Sequence, residues 1–187
     1  MSDLDRARAD LRAQQGAGAR YDSDAAPAEA LHIARRGVAY MARLVNQLDE
    51  AALWQGSARP GWTRRRIIAA NALQAREIAQ ALEDATGQQG DRADTSEAAV
   101  NLAETLPSRA LRHLASHADI HLNVVWRDLT DEDWDLPVTL SNGSVPARET
   151  ADLRAQRIWQ DAMDLGAGGR LRDVPAILRD RIAGEPH

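Results

Sequence analysis

The chain has 187 residues, a formal net charge of −5, 44% hydrophobic and 27% charged residues, and no cysteine. That length allows one domain with a real core. The acidic balance gives no basic surplus for nucleic acid, and the absence of thiols excludes disulfides, thiolate metal sites and a cysteine nucleophile. No apolar run approaches the ~18 residues of a membrane span and the acidic start does not read as a signal peptide, so a cytoplasmic protein without membrane contact is expected.

Residues 1–20 carry Leu4, Ala7 and Leu11 at roughly helical spacing before a Gly-Ala-Gly stop, which predicts a short helix or arm. A polar linker from Tyr21 to Pro27 completes an expected N-terminal arm (1–27), leaving 28–187 as the main domain. The first long helix is predicted over Ala28–Leu48, on the stripe Leu31, Ala34, Val38, Met41, Val45 and Leu48. The segment Asp49 to Trp54 reads as a short acidic helical turn. Gly61-Trp62-Thr63 opens the second long helix, with Thr63 as a plausible N-cap and Thr86 near its end. Gly87 to Asp94 is a polar crossover, and Ser96–Glu104 reads as a short helix. The third long helix is expected over Ser108–Leu129, started by Pro107 and Ser108. Its stripe is Leu111, Leu114, Ala118, Leu122, Val125 and Leu129. A second acidic turn ends at Trp134, a hint of an internal half-repeat with the turn at Trp54. Val138-Thr139-Leu140 is the one short strand candidate, and Ser141-Asn142-Gly143-Ser144 reads as a turn or hairpin tip. The late helix is predicted over Ala147–Leu165, with Ala151, Ile158, Ala162 and Leu165 on its stripe and Gly166-Ala167-Gly168-Gly169 as its stop. A last short helix spans about Val174–Ile182. Four long amphipathic helices with a longer connection between the second and third imply an all-α four-helix bundle.

Three constellations are candidates for chemistry. His113, His117 and His121 recur at every fourth position of the third helix. Adjacent members can share a metal, but the outer two lie about 12 Å apart along the axis. His113 and His117 point away from the stripe and His121 lies at its flank. Arg64-Arg65-Arg66 opens the second helix, where positive charge opposes the helix dipole. It reads as a solvated cluster, or as a contact for an anion. Arg157 and Asp161 sit four apart at the edge of the late stripe and read most simply as an ion pair. If that pair is buried it needs further partners. Asn71 and Gln74 can supply them if the second and fourth helices face each other. No GxGxxG, P-loop, GxSxG or HExxH pattern is present.

The order of several short motifs resembles the mycothiol-dependent maleylpyruvate isomerase family, within the wider DinB-like bundles. These are Pro60-Gly61-Trp62-Thr63-Arg64, Val124-Val125-Trp126-Arg127 with Asp131-Glu132-Asp133-Trp134, Val145-Pro146-Ala147-Arg148-Glu149, and Ile158-Trp159 through Asp164-Leu165-Gly166-Ala167. The resemblance covers roughly Leu31 to Ile182 and implies a DinB-like four-helix bundle with a long crossover between helices two and three. The further C-terminal domain of longer members is not expected here. The resemblance also implies a divalent metal held by one histidine of the second helix and a Glu-x-x-x-His pair of the fourth. A small thiol then serves to isomerise maleylpyruvate or a related substrate.

The three ligand positions that the resemblance implies fall on Ala70, Arg157 and Asp161. Ala70 has no donor atom and Arg157 repels a cation. The resulting expectation is a non-catalytic or repurposed member that has no cofactor and binds a small organic acid through Arg157. The pocket candidates are Ala70, Asn71, Gln74, Arg157 and Asp161. The alternative is an active thiol-dependent (mycothiol or glutathione) isomerase or transferase. It would hold a divalent metal such as zinc in a shifted site, using Asp161 with His117 or His121. A homodimer formed through the N-terminal arm is a third expectation.

Overall fold

The computed structural model describes residues 21–88, 90 and 92–184; the arm read over 1–20 lies outside the described residues. Among the described residues seven α-helices follow in order: α1 (Ala28–Asn46), α2 (Glu50–Leu53), α3 (Arg64–Ala85), α4 (Glu97–Glu104), α5 (Ser108–Asp128), α6 (Glu149–Asp164) and α7 (Ala176–Gly184). A two-stranded hairpin, β1 (Pro137–Leu140) and β2 (Gly143–Pro146), lies between α5 and α6. The four long helices α1, α3, α5 and α6 form the expected bundle. α3 packs along α5, α1 along α6, and α3 also touches α6, whereas α1 and α5 meet only slightly.

The central helix is α3. Residues Ile67 to Leu73 are buried without interruption, along with Ala75, Ile78, Ala79 and Leu82. Alanine on most of its faces lets α4, α5 and α6 approach from different sides, which a one-sided stripe does not permit. Thr63 caps its start, accepting from the Arg66 N–H at 3.0 Å. Asp49 and Ser96 cap α2 and α4 in the same way; such caps contribute about 1 kcal/mol each.

The pairing of α1 with α6 is set by Gly37. A Cβ there would collide with Ile158 Cγ2 and lie 3.0 Å from Trp159 Nε1. The close approach lets Trp159, itself buried, donate from Nε1 to the Ile33 carbonyl at 3.1 Å. Any side chain at Gly37 forces these helices apart.

The strand candidate is β1 of the hairpin, in register Val138↔Val145 and Leu140↔Gly143. The hairpin feeds directly into α6, because the Ala147 and Arg148 N–H groups donate to the Leu136 and Trp134 carbonyls at 2.9 and 3.0 Å. Those two residues are therefore engaged in a turn, and α6 starts at Glu149 rather than at Ala147. Residues 21–27 are tied to the bundle: Ser23 accepts from Trp134 Nε1 at 2.9 Å and Asp22 pairs with Arg35. α6 ends as the glycines predict, with Gly166 at φ +62° and Ala58 N–H donating to the Asp164 carbonyl at 2.7 Å. α7 begins at Ala176 because Val174, just before Pro175, is extended.

The arginine run at the start of α3 is neither solvated nor free for an anion. Arg64 donates to the Leu165 and Gly166 carbonyls at 3.1 and 2.8 Å, at the C-terminus of α6. Arg65, 1% exposed, donates to the Glu104 carbonyl at 2.8 Å and to the Leu106 carbonyl, just beyond α4. Arg66 pairs with Glu97 and Glu104. The cations that oppose the dipole of their own helix thus sit on the negative ends of two others. Arg112 does the same for α1, donating to the Leu48 carbonyl at 2.5 Å and to that of Val45.

Candidate functional site

The face of α6 that meets α3 carries Arg154, Arg157, Ile158 and Asp161, spaced by three and four. α3 opposes it with Ala70, Asn71 and Gln74. Asp161 is 1% exposed and accepts through Oδ2 from Arg157 Nε and Asn71 Nδ2, both at 2.8 Å. Asn71 works in both directions, since its Oδ1 accepts from Arg154 Nη2 at 2.8 Å. Arg154 is wholly buried and donates further to the Asn71 carbonyl at 3.0 Å, Gln74 Oε1 at 2.8 Å and Asp119 Oδ1 at 2.6 Å. Two guanidinium groups and two carboxylates therefore form one continuous neutral network across three helices.

The network is not fully satisfied. Asp161 Oδ1 and Arg154 Nε are buried and have no hydrogen-bond partner. A buried polar atom without a partner costs about 1–3 kcal/mol, more when the group is charged. Burial works against the Arg157 cation most strongly, but the charge and hydrogen bond of Asp161, with the charge of Asp164, outweigh it and hold the guanidinium pKa above its ordinary value. The Arg157 side chain is 33% exposed, so the pair reaches the surface on that side. On another side Asn71 and Asp119 line a cleft of about 430 Å³ between α1 and α5, whose apolar wall includes Val38, Met41 and Val45.

Of the residues singled out from the sequence, Asn71, Arg157 and Asp161 are brought together. Gln74 joins the network through Arg154 instead of Asp161, and Ala70 adds a nearly buried methyl next to Asn71. His121 is paired elsewhere, with Nε2 at 2.7 Å from Glu83 Oε1, and His113 and His117 are exposed. Arg154 and Asp119 were missed. Arg154 left a readable signal: it lies three residues after Ala151 and four before Ile158, in the middle of the apolar stripe. Among the described residues no group of three or more histidine or carboxylate side chains is arranged to hold a metal ion.

Residues 34–166 match the family model described as the mycothiol maleylpyruvate isomerase N-terminal domain. The crystal structure of the mycothiol-dependent maleylpyruvate isomerase is similar at 31% identity with a TM-score of 0.74, over 80% of this chain and 65% of that one. A histidine-to-alanine mutant of that enzyme is similar at 30% identity and a TM-score of 0.73, over the same shares. The chain thus spans a little under two thirds of the length of these relatives. No curated protein matches it. The bundle is DinB-like, and the matched segment runs from α1 to the glycine stop of α6, so that the chain belongs to the mycothiol maleylpyruvate isomerase N-terminal domain family.

Proposed function

We propose that this domain keeps the family bundle without the family's metal chemistry, and that it binds a small organic acid through Arg157. The observation that supports this most is the contact of the half-buried Arg157, through Nε, with Oδ2 of the buried Asp161 at 2.8 Å. The three positions where the family resemblance implies ligands carry a methyl (Ala70), a guanidinium (Arg157) and a single carboxylate (Asp161). A divalent ion does not fit that set. Asp161 Oδ1 is one unpaired acceptor oxygen that could ligate, but the Arg157 cation stands against the same carboxylate and Ala70 offers nothing. An ion there faces repulsion and lacks the three protein ligands that a catalytic zinc site requires.

The acid-binding half of the reading comes from what Arg157 has left. Its Nε is engaged by Asp161, and a third of the Arg157 side chain stays exposed. A guanidinium whose inner edge is fixed by a buried carboxylate presents its outer edge in a set orientation. That edge suits a carboxylate bidentately. Asp161 and Asn71 would then serve as positioning residues, and no proton transfer or covalent step is assigned to them.

The test combines metal analysis, binding and activity. Protein purified without chelator is expected to hold no ion whose retention depends on Asp161. Titration with maleate and pyruvate is expected to show binding that weakens at least about tenfold in Arg157→Gln, the loss of one charge-assisted bidentate contact. Isomerisation of maleylpyruvate with added mycothiol, abolished by Asp161→Ala, would sink the proposal.

A further inference from the structure

Where α1 and α5 meet only slightly, an arginine bridges them at each end of their shared length. Arg35 Nε of α1 donates to Asn123 Oδ1 at 2.8 Å, and Arg112 of α5 donates to the Leu48 carbonyl at 2.5 Å and to that of Val45. Arg112 and Asn123 are about 16 Å apart along α5. Between the bridges lies the cleft of about 430 Å³, left by small side chains at Ala42 and Ala115. Val38, Met41 and Val45 of α1 wall it, and Ile68 and Asn71 of the central helix floor it. Asn71 and Asp119 make its polar end, and Arg154 holds both, donating from Nη2 to Asn71 Oδ1 at 2.8 Å and to Asp119 Oδ1 at 2.6 Å. The Asp119 side chain keeps 16% of its surface exposed and lines the cleft.

We propose that this cleft binds a small neutral alcohol, with an apolar body against Val38, Met41 and Val45 and a hydroxyl head that donates to the Asp119 carboxylate. Small-molecule sites are clefts of about 300–1,000 Å³, mostly apolar with a few placed polar groups, and this one has that size and that division. A cavity of about 150 Å³ takes benzene, so a cleft of this volume with an open mouth takes a body of about two fused rings. Met41 is unbranched and adapts its shape to such a body. Both arginine bridges would have to break for the helices to close the gap. Arg154 sets the orientation of Asp119 from behind, so the acceptor is in place before the ligand arrives.

The charge balance selects the head. Arg112 rests on the negative end of α1, and Asp119 is matched by Arg154 within a neutral network. An ammonium or a carboxylate would therefore lose its water and meet no unmatched charge of opposite sign. Burying an unpaired charge costs more than one hydrogen bond returns. A hydroxyl has less hydration to lose and gains a charge-assisted bond. His113 lies about 9 Å further along α5 than Asp119, at the Arg112 end, and does not face the head. The site uses none of the contacts of Arg157 and does not depend on an acid bound there.

The experiment is a calorimetric titration of the full-length protein with 2-naphthylmethanol, 2-naphthoate and 2-naphthylmethylammonium, which share one ring body. The alcohol is expected to bind once per chain, and each ion at least about tenfold more weakly. Ala42→Phe, at an exposed position on the cleft, should fill the space and weaken the alcohol at least about tenfold, with Tm close to that of wild type. Asp119→Asn keeps the shape of the side chain but leaves Arg154 unmatched. It should weaken the alcohol about tenfold and bring naphthoate up to or above it, a reversal that a merely structural role does not produce. Arg157→Gln should leave the alcohol unchanged within about twofold. No alcohol binding, binding of either ion to wild type as tight as that of the alcohol, or undiminished binding in Ala42→Phe overturns the assignment. Loss of the alcohol in Arg157→Gln overturns it as well, by placing the ligand at the acid site. So does a dimer in solution that Ile120→Arg separates, since Ile120 is 62% exposed at the mouth and a second copy would then cover the cleft. If Asp119→Asn does not fold, the alcohol–ion series and Ala42→Phe decide.

Discussion

Two arginine clusters meet α3, one at its start and one at its middle, and they are used in opposite ways. At the start, Arg64 and Arg65 place their charge on backbone carbonyls at the ends of α6 and α4. Arg65 is as buried as any core leucine, yet no buried side-chain polar atom of this cluster lacks a partner. At the middle, Arg154 and Arg157 engage two carboxylates and two side-chain amides, and the network retains two buried atoms without partners. A cluster that satisfies carbonyls its helices must leave open reads as architecture. One that buries charges against each other and still leaves atoms orphaned costs stability, and such a cost points to a site.

The largest expected effect breaks the two clusters one at a time. Arg154→Ala removes the cation between Asp119 and Asn71 and should cost about 3–5 kcal/mol, as removal of one partner from a buried pair does. Arg65→Ala leaves the Glu104 and Leu106 carbonyls open at the end of a short helix, where water can reach them after modest fraying; about 2–3 kcal/mol is expected. Urea unfolding of both variants checks the order. A loss in Arg65→Ala that exceeds that in Arg154→Ala would reverse the assignment of architecture and site.

A smaller effect sharpens the comparison inside the second cluster. A double-mutant cycle over Arg157→Gln and Asp161→Asn should give a coupling of about 1–2 kcal/mol. The value lies below that of a fully buried pair because the Arg157 side chain is 33% exposed and solvent screens it. The surface pair Arg148–Asp135, 42% and 74% exposed, should give less than about 0.5 kcal/mol and lose it in 0.5 M salt. If both couplings collapse equally in salt, the Arg157–Asp161 pair is a surface contact and no site.

The pH dependence of that coupling is a further, weaker test. The guanidinium pKa of Arg157 is raised above its unfolded value. Its contribution is then fully present below the unfolded pKa and is lost only as pH rises through the folded one, in strongly alkaline solution. The coupling measured at pH 8 and at pH 10 should therefore agree within error.

How much of this was legible in the sequence differs between the clusters. The bundle itself was, because stripes such as Leu111, Ala118, Leu122 and Val125 repeat at helical spacing and bury as read. Helix boundaries slipped by one or two residues where a turn competes for the backbone, as at Ala147 and Arg148. The contact of Asn71 with Asp161 was anticipated on the condition that two helices face each other, and they do. Arg65 was not legible, since an arginine in a run of three looks solvated. The packing of the α4 end, Trp54 and Ser108 over the first turn of α3 buries it. Arg154 could have been found from its place on the stripe. Asp119 could not, because one turn of α5 earlier or later the same carboxylate would face water.

The smallest predicted effect concerns a carboxylate that is neither architecture nor site by the criteria above. Tyr40 lies against Trp159 with its ring tilted by 37° and centroids 4.9 Å apart, and its hydroxyl donates to Asp173 Oδ2 at 2.9 Å. The same hydroxyl accepts from the Arg170 N–H at 3.0 Å, so one aromatic side chain of α1 fastens the segment between α6 and α7. The Tyr40 hydrogen bond, against a small desolvation cost and with help from Arg170 and Arg172, holds the Asp173 carboxyl below its ordinary value. A depressed carboxylate pKa stabilises the fold above the unfolded value and ceases to do so as pH falls through the folded one. Tyr40→Phe should therefore move the Asp173 titration upward toward the ordinary aspartate range in an NMR titration. It should also lessen the acid-induced loss of stability at the lowest pH. An unmoved Asp173 titration would mean that the arginines alone set it, and that Tyr40 is held by Trp159 and Arg170 without the carboxylate.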